Sequence, residues 1–406
     1  MRVILFAIHG GPAGWLGTYG NDWVGTPHLD RLASEGVVFD RHISDCPEPA
    51  AARRAWLRDG PHRFPCPTFL IRANHPDTDL PDEYYAHWSE VFDARPQTDD
   101  SSPLEELLRR FPTWLDRLAN IPDLLLVIEI DRLLPPWDVP AEVFEAYLHD
   151  EPETSAETEK HHKETEATNE ERDSPEAAAA ESAAADEPVP PWADPPIGFF
   201  DPKDLDAWDY LHRSFAAVVT KLDAELGQLF DELRRKGFDQ SAVWIVTSDW
   251  GLPLGEHGQV GLYRPWLHEE LVHLPLIVRL PGAEQCGRRV AGFTQPPDLY
   301  PTLLALLGST PTSDDNSFNL LPLLRGEAAS LRPYAVTALE VGGAAECALR
   351  TDEWALLVPT RVPEGDPPRA PMLFEKPDDR WEVNDLRPRN IERADELEAQ
   401  LRQALQ

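Results

Sequence analysis

The chain has 406 residues, 42% of them hydrophobic, enough for one large α/β domain plus a small one around a sizeable core. Its net charge of −35 at pH 7 opposes nucleic acid and anionic membrane surfaces as partners. The 4 cysteines (Cys46, Cys66, Cys286 and Cys347) lie far apart, contain no CxxC pair, and fit neither a zinc site nor a dense disulfide framework.

In chain order, Val3 to Ile8 is the first expected strand, with HGGPAGWLGTYG leaving its C-terminal end. No stretch approaches the roughly 20 apolar residues of a membrane span. MRVILFAIHGG lacks a small-residue cleavage site, so it reads as a strand rather than a signal peptide, and a cytoplasmic location is the expectation. In GTPHLDRLASEG a helix puts Leu29, Leu32 and Ala33 on one face, and Gly36 ends it. Pro65 to Ile71 reads as a further strand. Leu104, Leu107, Leu108, Phe111, Leu115 and Leu118 recur at helical spacing and form a core stripe, with Pro112 predicting a kink or break. Asp123 to Ile130 reads as a buried strand.

Residues 149–191 differ in kind. They hold almost no large apolar side chain and a dense excess of Glu and Asp, too little burial to offset ordering entropy, so a disordered acidic insert is expected. Residues 206–236 then form a long amphipathic helix through Tyr210, Phe215, Val218, Leu222, Leu226, Leu229 and Leu233, capped by Gly237. From Pro333 a smaller unit begins, with antiparallel strands around Val336 to Leu339, Ala348-Leu349 and Trp354 to Val358, and a final helix. The expected organisation is a main domain over 1–332, interrupted by the insert, and a small C-terminal unit over 333–406.

The stretch between Ser241 and Gly282 carries the chemistry. Ala242 to Val246 is a short apolar run suited to a buried strand, and Thr247-Ser248-Asp249 puts a carboxylate at its C-terminal end, the edge where open α/β sheets bind ligands. A Gly-rich loop with Glu256, His257 and Arg264 follows, then a second apolar strand over Leu274 to Leu280. An acid, a histidine and an arginine on one loop between two buried strands form an active-site layout. The alternative is a capped strand with an ordinary polar loop.

TSDWGLPLGEHG resembles the TSDHGxxxGEHG segment of the sulfatase family, within the alkaline-phosphatase-like superfamily. VHLPLIVRLPG, GTPHLDRLASEGVVFDRHIS and the DLYPTLL segment at Asp298 resemble further motifs of that family, in the correct order. The resemblance covers nearly the whole chain outside the acidic insert. It implies an α/β fold, a three-layer α/β/α sandwich with a small C-terminal α/β subdomain. It also implies a hydrolase of sulfuric esters whose active members hold calcium or another divalent metal and use a formylglycine made from cysteine or serine.

The sequence departs from that pattern where the chemistry lies. The two adjacent metal-ligating aspartates correspond to His9 and Gly10, and the fourth ligand to Trp250, leaving Asp249. Aligning Arg54 with the family's arginine puts Ala50 at the nucleophile position, and alanine offers no oxygen. A shifted reading would use Cys46, at the cost of the following Ser-Arg. Leucines stand where a leaving-group histidine is expected, around Leu133 and Leu134. The expected remnant site is therefore Arg54, His257 and Arg264 for an anion, with Asp249 and His9 as weak or absent metal ligands and no cofactor. Ordinary ion pairing is the alternative for the three cationic residues. The functional expectation is an inactive sulfatase-fold protein whose partner is a small sulfate or phosphate ester or another protein. The alternative is a sulfuric ester, phosphoester or phosphonate hydrolase with a non-standard site, in which His9, His257 or Asp249 serves as general base.

Overall fold

The computed structural model describes all residues except 59, 97–100, 149–188, 262–263, 311–315, 366 and 406. The acidic insert expected over 149–191 thus lies, from 149 to 188, outside the described residues. The strands in chain order are β1 (Arg2–Ile8), β2 (Val37–Ile43), β3 (Thr68–Ala73), β4 (Glu90–Asp93), β5 (Leu124–Ile130), β6 (Gly198–Phe199), β7 (Ala242–Ser248), β8 (Gln259–Val260), β9 (His273–Leu274), β10 (Leu276–Arg279), β11 (Arg288–Thr294), β12 (Ala335–Val341), β13 (Ala344–Arg350), β14 (Trp354–Arg361) and β15 (Met372–Glu375). The α-helices are α1 (Pro27–Ser34), α2 (Pro49–Leu57), α3 (Asp82–Tyr85), α4 (Pro103–Leu118), α5 (Ala141–Leu148), α6 (Leu205–Arg235), α7 (Glu269–Val272), α8 (Leu299–Leu306), α9 (Leu321–Arg325) and α10 (Ile391–Ala404).

β1 shows why the fold has three layers. Val3 to Ile8 are all buried, and alternate residues feed separate cores. Ile4, Phe6 and Ile8 pack with Leu29 of α1, Phe111 of α4 and Phe215 of α6. Val3, Leu5 and Ala7 pack with Trp56 of α2, Leu303 of α8 and Leu323 of α9. A strand apolar on both faces needs helices on both sides of its sheet, which gives the α/β/α sandwich. The sheet runs β11-β2-β10-β7-β1-β5-β3-β4, with β9 on β2. Its centre, β7-β1-β5-β3-β4, is parallel, whereas β10 is antiparallel to both its neighbours. A separate antiparallel sheet, β12-β13-β14-β15, packs Leu349, Leu356 and Leu373 against Leu397 and Leu401 of α10.

Two expectations are corrected. Pro112 does not break α4, which runs unbroken from Pro103 to Leu118. Its start is fixed by a Ser102/Glu105 capping box, and burial of Phe111, Trp114, Leu115 and Leu118 outweighs the one lost backbone bond. The strand expected over Leu274 to Leu280 divides at Pro275, which has no N–H to donate, into β9 and β10.

In the parallel centre, Ile8 lies level with Ile130 of β5 and Ser248 of β7. His9 and Asp249 therefore emerge side by side at one sheet edge, with Glu129 one residue inside it. Gly36, between α1 and β2, approaches β10 so closely that a Cβ would sit 2.8 Å from the Val278 carbonyl oxygen. Gly36→Ala is expected to cost about 1–3 kcal/mol by overpacking, read as a lower denaturation midpoint with an unchanged m-value.

Candidate functional site

Four fully or nearly fully buried polar residues meet at this edge: His9 after β1, Glu129 on β5, Asp249 after β7 and Arg53 on α2. Arg53 donates through Nη1 to Glu129 Oε1, through Nη2 to His9 Nε2 at 2.7 Å, and through the same Nη2 to Asp249 Oδ2 at 3.3 Å. His9 Nδ1 lies 2.7 Å from Asp249 Oδ2. These partners fix the ring chemistry: a guanidinium only donates, so Nε2 accepts, and a carboxylate only accepts, so Nδ1 carries the proton. Asp249 Oδ1 also accepts from the backbone N–H groups of Gly10 and Trp250, at 3.3 and 3.0 Å. Burial pushes the Asp249 carboxyl up, but the contacts with His9 and Arg53 outweigh it and hold the group below the usual carboxylate range.

The donor set does not fit a divalent cation as it stands. The Arg53 guanidinium already bonds to all three would-be ligands, and an ion entering among them would meet a like charge. Among the described residues, no group of three or more His, Cys, Asp or Glu is disposed to hold a metal.

The neighbouring space is apolar. Gly10 has φ +69°, and a Cβ there would lie 2.7 Å from Leu134 Cδ2, 3.6 Å from Leu252 Cβ and 3.7 Å from Trp250 Cζ2. Leu134 and Trp250, read from sequence as lost polar positions, thus close over Gly10 and fill the edge.

His257 lies elsewhere. Its Nδ1 is 2.8 Å from Glu270 Oε1 and its Nε2 is 3.1 Å from the Glu382 carbonyl oxygen, so both nitrogens face acceptors. Burial pushes the imidazole down, but Glu270 and Glu382 outweigh it and raise the group to about 9. Its ring stacks on His268 at 3.7 Å between centroids, and His268 Nδ1 lies 3.0 Å from Glu382 Oε2. Glu382 is also bound by Arg350 at 2.8 Å and Lys376 at 3.1 Å. This histidine is a charged staple between the loop after β7 and the C-terminal unit, not a free base.

The expected trio of Arg54, His257 and Arg264 is not assembled. Arg54 is 64% exposed, 3.9 Å from Glu48, and lines a 290 Å³ cavity with Ala50, Arg58 and Tyr84. Arg264 lines a different cavity of 680 Å³ with Trp266, Arg361 and Arg369. His257 borders neither. The helical stripe explains the error: Arg53 shares its face with Trp56 and Leu57, at i+3 and i+4, so Arg53 turns inward and Arg54 outward. That periodicity, and the lone charge in the LLLVIEI strand, were the available signals for Arg53 and Glu129.

Ala50 is in the first turn of α2, and Glu48 caps its N–H at 3.2 Å and that of Ala51 at 2.7 Å. Cys46 cannot supply a ready nucleophile. Burial first, then the nearby Asp45 charge, push its thiol up to about 11.

The sulfatase family model matches residues 69–309, more than half of the chain, and the chain belongs to the sulfatase family. It is 32% identical over 127 residues to the N-acetylglucosamine-6-O-sulfatase of Bacteroides thetaiotaomicron, covering 31% of this chain and 22% of that protein. The match thus spans about a fifth of that relative's length. Two solved structures, each 17% identical, share the fold. One, in complex with its substrate D-glucosamine-2-N,6-O-disulfate, has a TM-score of 0.70 and covers 99% of this chain and 97% of its own. The phosphonate monoester hydrolase of Agrobacterium radiobacter has a TM-score of 0.68 and covers 99% and 94%. Among the described residues, no helix is long and apolar enough to cross a membrane.

The His257 staple makes stability depend on pH. Its folded value is raised, so the contribution is complete below the unfolded value of ~6.5 and is lost as pH rises through about 9. Denaturant titrations at about pH 6.5 and about pH 9.5 should show the wild type losing stability on the alkaline side. His257→Gln should flatten that part of the profile.

Proposed function

We propose that this chain is a catalytically inactive sulfatase-fold protein that binds a small anionic ester. One observation carries the inactivity: the catalytic edge is filled. Arg53 bonds to both carboxylates and the imidazole, Leu134 and Trp250 close over Gly10, and the nucleophile position is Ala50 beneath a Glu48 cap. Acyl, sulfuryl or phosphoryl transfer needs an attacking atom and charge stabilisation at the reacting group. Neither is available at an edge so closed.

The 680 Å³ cavity supports the binding reading. Its wall carries three arginines in a strongly acidic chain. Arg361 pairs with Glu340, and Arg369 with Glu346 at 2.6 Å. Arg369 also lies 4.0 Å over the Trp266 ring. Arg264 has no acidic partner among the described residues, so its guanidinium suits bidentate recognition of a sulfate or phosphate group.

The purified protein should not turn over aryl sulfates above background, with or without added calcium. Ala50→Cys should restore nothing, because the edge stays filled. Turnover by the wild type that Asp249→Ala abolishes would overturn the inactive reading. Calorimetric titration with inorganic sulfate and a sulfated monosaccharide should detect weak binding. Arg264→Ala should lower it by about ten- to a hundredfold, the loss of one charge-assisted contact of roughly 1.5–3 kcal/mol. Binding unchanged by Arg264→Ala would remove the cavity from the proposal.

A further inference from the structure

We propose that the arginine-lined cavity takes a singly charged oxyanion carried on an apolar group, a sulfate monoester or a phosphate diester, and excludes doubly charged phosphate monoesters. This rests on the reading of the cavity as an anion site and adds the charge state of the ligand. Three guanidinium groups line the wall, but two of them have carboxylate partners. Arg361 pairs with Glu340, and both side chains are more than half exposed. Arg369 pairs with Glu346, whose side chain is 0% exposed. Arg264 has no such partner among the described residues, so the wall carries one uncompensated positive charge.

Glu346 is held in place from both sides. Its Oε1 accepts from the Leu267 N–H at 2.7 Å, and its Oε2 accepts from Arg369 Nη2 at 2.6 Å. Arg369 Nη1 in turn donates to the Pro265 carbonyl oxygen at 2.7 Å, and its guanidinium lies over the Trp266 ring. The carboxylate is thus fixed behind the segment that carries Arg264, buried where salt and water screen it little. The cost of taking an ion out of water rises with the square of its charge, whereas its attraction to one spare guanidinium rises only in proportion. A first negative charge is matched by Arg264. A second meets Glu346 with no further cation to offset it. Trp266, Val341, Val362 and Pro363 supply an apolar wall for the group that carries the oxyanion.

Calorimetric titration at about pH 8, where a phosphate monoester with its second pKa of about 6 is a dianion, compares phenyl sulfate, phenyl phosphate and methyl phenyl phosphate. The wild-type protein should bind phenyl sulfate and methyl phenyl phosphate with similar affinity, and phenyl phosphate at least about tenfold more weakly. Glu346→Gln keeps an acceptor for the Leu267 N–H and removes the charge, so it should bring the sulfate-to-phosphate affinity ratio close to one. If Glu346 only supports the fold, the substitution lowers both affinities together and leaves the ratio unchanged, a result that would overturn the proposal. The wild-type series decides without any variant. Phenyl phosphate binding as tightly as phenyl sulfate, or methyl phenyl phosphate following phenyl phosphate, defeats the charge selection while leaving the cavity as an anion site. Failure of all three esters to bind removes both readings.

Discussion

A guanidinium buried at the C-terminal edge of a parallel sheet constrains everything around it. Taking a charged group out of water costs several kcal/mol, and only well-formed partners offset it. Arg53 has three such partners, on three different segments. The attraction ties α2 to β1, β5 and β7, which are also the centre of the sandwich. Breaking a buried pair of this kind is typically worth 3–5 kcal/mol, because the abandoned carboxylates have nowhere else to turn. The arrangement is thus strongly specified even if its net contribution to stability is small.

The charged and apolar groups at this edge fit one another. A glycine at position 10 leaves room for Leu134, and Trp250 and Leu252 complete the contact. Asp249 remains, but its two oxygens serve neighbours within the chain rather than a substrate-side ion. A single polar residue left without partners in this apolar surround would carry a desolvation penalty.

In the loop after β7, motif residues serve the packing of the fold. Glu256 and His257 keep the family spacing, yet Glu256 accepts from the Leu254 N–H at 2.6 Å and His257 bridges Glu270 and Glu382. The loop joins the main sheet to the C-terminal unit through a dense set of buried charges, including Arg350, Lys376 and His268. Fold and function are separable for this reason: the residues that shape a loop are not the ones that must meet a substrate.

The architecture was legible in the sequence. The continuous apolar run in Val3 to Ile8, the stripe from Leu104 to Leu118 and the long repeat in 206–236 are each readable locally, and their order implies a covered, mostly parallel sheet. The absence of a carboxylate or hydroxyl at Gly10, Ala50 and Trp250 was legible too, because it is identifiable from the letter alone. What fills the edge was not. Arg53 and Arg54 are adjacent and chemically identical; the helical stripe with Trp56 and Leu57 hints that Arg53 points inward, but not which groups it meets there. Arg54, His257 and Arg264 looked convergent along the chain but separate into different surroundings, since sequence order does not fix which sides of a folded loop share a cavity. The sequence by itself determined the layers and the residue types at the edge. The tertiary structure alone decided which cation fills the centre, because that depends on groups more than 40 residues apart meeting in a volume without water.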